Sequence, residues 1–77
     1  MVVGFVLVKA APGQKHEVYS RLSKLSEIVE LYPLSGEYAL ITKIKTEDFK
    51  KLGEMIVSKI RSVKDVVDTK TLIPIAG

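Results

Sequence analysis

Val2 to Lys9 is apolar at both odd and even positions and is dominated by β-branched residues, with Phe5 among them. A run of that kind predicts a strand covered on both faces. Ala11-Pro12-Gly13 then breaks the pattern. From Gln14 onward Val18, Leu22 and Leu25 recur at spacings of four and three with charges between them, the mark of a short amphipathic helix. Ile28 to Leu34 reads as a second strand, and Pro33, which cannot donate to a ladder, puts it at a sheet edge. Ser35-Gly36 marks a turn, and Tyr38 to Lys45 reads as a third strand.

The most regular stretch follows. Phe49, Leu52, Gly53, Ile56, Val57, Ile60 and Val63 fall on one helical face, which predicts a second helix burying all of them. Thr46 stands where an N-cap belongs, Glu47 and Asp48 fill the first turn, and Lys59 and Arg61 fill the last. Val66 to Ile75 alternates and is β-branched, giving a final strand. The order β-α-β-β-α-β is that of the ferredoxin-like α+β sandwich. Right-handed crossovers place the first and third strands at the centre of an antiparallel sheet, with both helices on one face. Both central strands are apolar on both parities: Val2, Val6 and Val8 against Val3, Phe5 and Leu7, and Leu40 and Ile44 against Ala39 and Ile41. Two helices cover only one of those faces. The expectation is that two sheets close face to face into a dimeric α/β barrel.

Size sharpens this expectation. Apolar burial in a chain of 77 residues and 8.5 kDa contributes on the order of 115 kcal/mol. Ordering the chain at about 1.5 kcal/mol per residue costs the same. There is no Cys to add a disulfide or a thiolate metal site, so self-association is the remaining source of stability. With 47% apolar and 27% charged residues the chain is neither disordered nor a membrane protein. Its longest apolar run, Met1 to Val8, is too short to span a bilayer and lacks the basic flank and cleavage site of a signal peptide. These features point to the cytoplasm. The net charge of +3 arises wholly from residues 39–77, where eight Lys and Arg face five Asp and Glu, too small an excess to argue for nucleic acid. There is no Asn and one Gln (Gln14) among abundant Lys and Glu, a composition that leans towards a thermophile.

Candidate chemistry is sparse. His16 is the single His, and with no Cys it has no partners for a metal site. It reads as a solvated helix residue, its enzymatic alternative being a lone general base in a small dimeric α+β-barrel enzyme. Glu47 with Asp48, and Asp65 with Asp68, resemble acid–base pairs, but a helix dipole explains the first and a solvated strand start the second. No GxSxG, Walker or GxGxxG motif occurs. RNA recognition motifs share this strand order, yet their aromatic signature is missing: the central strands offer Phe5, and Tyr38 followed by Ala39-Leu40-Ile41. The Lys43, Lys45, Lys50 and Lys51 cluster is explained by a solvated strand end and helix start. No catalytic residue, cofactor or metal is expected.

Ser35-Gly36-Glu37-Tyr38-Ala39-Leu40-Ile41-Thr42-Lys43-Ile44 resembles the Gly-x-Tyr-Asp stretch in the effector (RAM) domain of Lrp/AsnC transcription regulators. Phe5-Val-Leu-Val-Lys with Pro12-Gly13 is similar to the opening of that domain, Asp48-Phe49 with Leu52 and Ile60-Arg61 to its second helix, and Val66 with Thr69, Thr71, Leu72 and Ile73 to its last strand. Full regulators carry an N-terminal helix-turn-helix domain, whereas this chain starts at the first strand, so the resemblance implies a stand-alone effector module. The Asp of the family stretch is Ala39 here. The resemblance further implies a homodimer that assembles into larger rings such as octamers, possible association with full-length Lrp/AsnC regulators, and a small-molecule effector, typically an amino acid, held between dimers. Ser35, Gly36, Glu37, Tyr38 and Ala39, with Thr69 and Thr71, would line that pocket. Gly36 lets backbone N–H groups approach a carboxylate, and threonine hydroxyls donate or accept. The plainer reading is a hairpin turn and two β-formers on an edge strand. Three functions stand: a non-enzymatic amino-acid sensor, a structural assembly partner with no working pocket, or an enzyme using His16. None involves a membrane or sequence-specific DNA binding by the chain itself.

Overall fold

A computed structural model describes residues 1–75 and shows four strands and two helices in the expected order. The strands are β1 (Val2–Ala10), β2 (Ile28–Pro33), β3 (Leu40–Thr46) and β4 (Val66–Leu72). The helices are α1 (Lys15–Leu22) and α2 (Phe49–Met55), the latter continued by a π-helical turn over Ile56–Ile60. The strands form one antiparallel sheet in the order β2-β3-β1-β4, so β1 and β3 are central and Pro33 lies on an edge strand. This is the ferredoxin-like α+β fold.

Period two divides the central strands as their sequences imply. Val6 and Val8 of β1 and Leu40, Thr42 and Ile44 of β3 point towards the helices and are fully buried. They meet Val18 and Leu22 of α1, and Leu52, Met55, Ile56 and Ile60 of the α2 segment. Thr42 is accommodated because its hydroxyl donates to the Val6 carbonyl at 3.2 Å. Gly4 sets how closely α2 approaches: a Cβ there would come within 2.7 Å of the Leu52 side chain. The opposite face carries Val3, Phe5 and Leu7, with Lys45, Lys43 and Ile41 of β3 as their direct neighbours, and Lys70 and Leu72 of β4 beyond Leu7 and Phe5. Among the described residues no helix covers these side chains; Val3, Phe5, Leu7 and Ile41 remain half-buried.

Several details differ from the sequence reading, and the first of them is that α1 ends at Leu22, short of Leu25. The second helix is capped by Asp48, not Thr46: the Asp48 carboxylate accepts the Lys51 backbone N–H at 2.8 Å. Thr46 is instead the last residue of β3, opposite Val2, and its hydroxyl donates to the Asp48 carbonyl. Tyr38 and Ala39 precede β3, because the Leu34 N–H bonds to the Ala39 carbonyl and closes a loop over residues 35–39. β4 ends at Leu72, short of Ile75. Finally, α2 buries Leu52, Met55, Ile56 and Ile60 but leaves Phe49 56% and Val57 60% exposed, so the expected apolar face is two ridges, of which the sheet takes one.

Candidate functional site

The loop after β2 is shaped by Gly36, whose φ of 142° is a backbone state that side-chain-bearing residues rarely adopt. Ser35, Gly36 and Glu37 are exposed, whereas Tyr38 and Ala39 are half-buried. The loop is held at three points. Ala39 N–H donates to the Val8 carbonyl at 2.8 Å, the Lys15 ammonium donates to the Leu34 carbonyl, and Lys9 lies 3.8 Å from Glu37. On the other side of β1, Thr69 is the register partner of Val8, and Thr71 that of Val6. Both threonines therefore share the helix side of β4 with Val6 and Val8.

That side of β4 is hollow. Phe49, Gly53, Val57 and Arg61 from the α2 segment, with Thr69, Thr71 and Ile73, enclose a groove of about 580 Å³ floored by Leu52 and Ile56. The walls are apolar apart from two hydroxyls and one guanidinium. A second groove, of about 540 Å³, lies between α1 and the end of β2–β3 and is lined by Gly13, Lys15, His16, Tyr19, Pro33 and Leu40. His16 is thus an exposed wall residue with no carboxylate in its groove.

The structure brings Thr69 and Thr71 together but does not bring Ser35–Ala39 to them. The loop residues line neither groove, and β1, to which the loop bonds through Ala39 and Val8, lies between the loop and β4. Sequence reasoning missed Phe49, Val57 and Arg61 as groove residues. The signal was there: Phe49, Gly53 and Val57 repeat every four residues, a ridge distinct from Leu52, Ile56 and Ile60.

The carboxylates that resemble acid–base pairs all have local partners. Asp48 caps α2, Glu47 lies 2.8 Å from Lys51, Asp65 lies 3.9 Å from Arg21, and Asp68 accepts the Thr69 N–H at 2.9 Å. Glu27 is held below the usual glutamate range first by a hydrogen bond from Lys59; Glu30 is lowered first by the Tyr32 hydroxyl and then by Lys43. Among the described residues no three His, Cys, Asp or Glu are grouped to hold a metal ion, and no helix is long and apolar enough to cross a membrane.

Residues 3–76 match the family model of the Lrp/AsnC ligand binding domain. The chain belongs to the Lrp/AsnC family. It is 38% identical over 72 residues to the HTH-type transcriptional regulator FL11 of Pyrococcus horikoshii, covering 94% of this chain and 47% of that regulator. To the regulatory protein AsnC of Haemophilus influenzae it is 30% identical over 71 residues, covering 92% of this chain and 46% of the relative. The chain thus spans about half the length of the curated Lrp/AsnC relatives it matches, and these are transcription regulators. The Pyrococcus relatives accord with the Asn-free, Lys- and Glu-rich composition. Among solved structures, FFRP-DM1 superposes with a TM-score of 0.92 at 39% identity, covering 97% of this chain and 100% of that one. A transcriptional regulator from Neisseria meningitidis, solved as a complex with L-Met, shares the fold at a TM-score of 0.86 and 16% identity, covering 97% of this chain and 50% of that one.

Proposed function

We propose that this chain is a non-enzymatic effector-binding module of the Lrp/AsnC family that works as a homo-oligomer. It senses amino acids or related small molecules and acts on transcription regulators or metabolism by associating with other proteins, full-length Lrp/AsnC regulators among them. The observation that carries this reading is the family match itself: it is to a ligand-binding domain and runs over almost the whole chain.

Two features of the fold support the assembly. The uncovered sheet face bears Val3, Phe5, Leu7 and Ile41, which a second copy turned about a two-fold axis covers with the same residues. The 4918 Å² exposed by the single chain is slightly above the roughly 4,600 Å² expected for its mass. Ser35, Gly36, Glu37, Tyr38 and Ala39 share no groove with Thr69 and Thr71 within one chain, which supports a pocket that draws on both sets between dimers, in a ring such as an octamer. The L-Met complex of the Neisseria regulator supports an amino acid as the class of effector.

The test is a melting screen of the intact chain against amino acids and small carboxylates, followed by sedimentation of any hit. A compound that raises the melting temperature and changes the assembly supports the module. Stable oligomers that no compound affects favour the second reading, a structural assembly partner; Ala39, where the family stretch has Asp, is the residue that favours it.

A further inference from the structure

The groove between α2 and β4 has a charge pattern that its two threonines alone do not suggest. Among the described residues its lining contains one charged residue, Arg61, and no carboxylate. Among the described residues Arg61 takes part in none of the ion pairs, which join Lys9–Glu37, Arg21–Asp65, Lys43–Glu30, Lys51–Glu47 and Lys59–Glu27. Asp68, next to Thr69, borders a small adjoining cleft with Arg61 and lies outside the groove's lining, where its carboxylate accepts the Thr69 N–H. A guanidinium presents a planar fork of donors matched to a carboxylate. Beside it stand two hydroxyls, with the exposed apolar side chains of Phe49 and Val57 on the helical wall and of Ile73 after Thr71.

Gly53 adds an independent observation. It lies inside α2, where glycine is a poor helix former, and a Cβ built on it meets nothing within 4 Å. Packing among the described residues therefore does not require its small size. Its bare backbone widens the groove between Phe49 and Val57.

We propose that this groove takes an apolar monocarboxylate without an ammonium group, with Arg61 pairing its carboxylate and the Phe49–Gly53–Val57 ridge covering its hydrocarbon tail. The inference rests on the effector reading above and names the ligand class for its α2–β4 half. An amino acid suits the groove less well, because its ammonium group would stand beside the guanidinium with no acid among the described lining residues to balance it.

The experiment is calorimetric titration of the intact chain with 4-methylpentanoate and with leucine, which share a branched tail and differ by the ammonium group. The carboxylate should bind at least tenfold tighter than leucine. Arg61→Gln should weaken it at least tenfold, while Lys50→Gln, the same loss of charge elsewhere on α2, should not. Gly53→Ala should raise the melting temperature by about 4 °C and yet weaken the carboxylate severalfold, a pairing that a purely structural glycine does not produce. Leucine binding tighter than 4-methylpentanoate, or equal loss in Arg61→Gln and Lys50→Gln, overturns the ligand class and leaves the effector reading standing. No response to either compound, with none in the wider screen, overturns both.

Discussion

Leu7 sits at the middle of the uncovered sheet face, between Ile41 of β3 and Lys70 of β4. In an isolated chain it is half-buried, and a glutamate there keeps its carboxylate in water with Lys70 as a cross-strand neighbour. Leu7→Glu should therefore cost an isolated chain no more than about 1 kcal/mol. In a face-to-face dimer the same carboxylate is trapped between two sheets. Desolvating one ion costs several kcal/mol after relaxation, taken here as about 3 kcal/mol. A two-fold axis repeats the substitution, so the dimer loses about 6 kcal/mol, on the order of 10⁴ in its dissociation constant. Sedimentation equilibrium at micromolar concentration should give the unmodified chain a mass of at least twice 8.5 kDa. Leu7→Glu should fall to monomer mass or unfold, and Lys50→Gln should sediment like the unmodified chain. A stable monomer for the unmodified chain, or an unchanged mass for Leu7→Glu, would refute the sheet-to-sheet interface.

Asp48→Ala removes the carboxylate that caps α2 and should lower stability by about 1 kcal/mol in urea unfolding at fixed protein concentration, whereas Glu47→Ala, on an exposed pair, should cost less. Glu27 and Glu30 are lowered in the folded chain, so the stability they add is present above the ordinary glutamate value of 4.5 and is lost as the pH falls through their lowered values. Lys59→Met should flatten that acid limb of the stability profile, and an unchanged slope would count against the Glu27–Lys59 contact as its source. Ala39→Asp should strengthen amino-acid binding roughly 10- to 150-fold in calorimetry, by restoring a charge-assisted hydrogen bond of about 1.5–3 kcal/mol to the ammonium group; unchanged affinities in a folded variant would mean that position 39 does not face a ligand. The 77-residue chain, with a net charge of +3, should shift DNA only weakly and lose that binding in moderate salt, and a salt-resistant, sequence-dependent shift would contradict this.

Strand order and helix placement were legible because they rest on period-two and period-3.6 patterns that depend on the chain alone. Val6, Val8, Leu40 and Ile44 had to share a face, and one pair of helices had to cover it. The start of β3 was not legible, since Tyr38 and Ala39 have strand-like chemistry and only the hydrogen bonds to Leu34 and Val8 place them in a loop. Thr46 and Asp48 are both good capping residues; β3 running on to pair Thr46 with Val2 decides between them. Periodicity assigned Phe49 and Val57 to the core because it counts apolar positions and cannot see how wide a ridge the sheet accepts. The π-helical turn, closed by Arg61 N–H bonding to the Ile56 carbonyl, left no mark in the pattern. That β1 stands between the loop and the two threonines is a property of strand order, so a list of site residues read along the sequence hides it.

Native mass spectrometry of the intact chain, sprayed with and without 4-methylpentanoate and with a panel of amino acids, reads subunit number and bound ligand together. An oligomeric effector module should appear as an even multiple of 8.5 kDa that retains a small molecule in a fixed ratio to its subunits. A monomer, or an oligomer that retains none of these compounds at any concentration that leaves it folded, would contradict it.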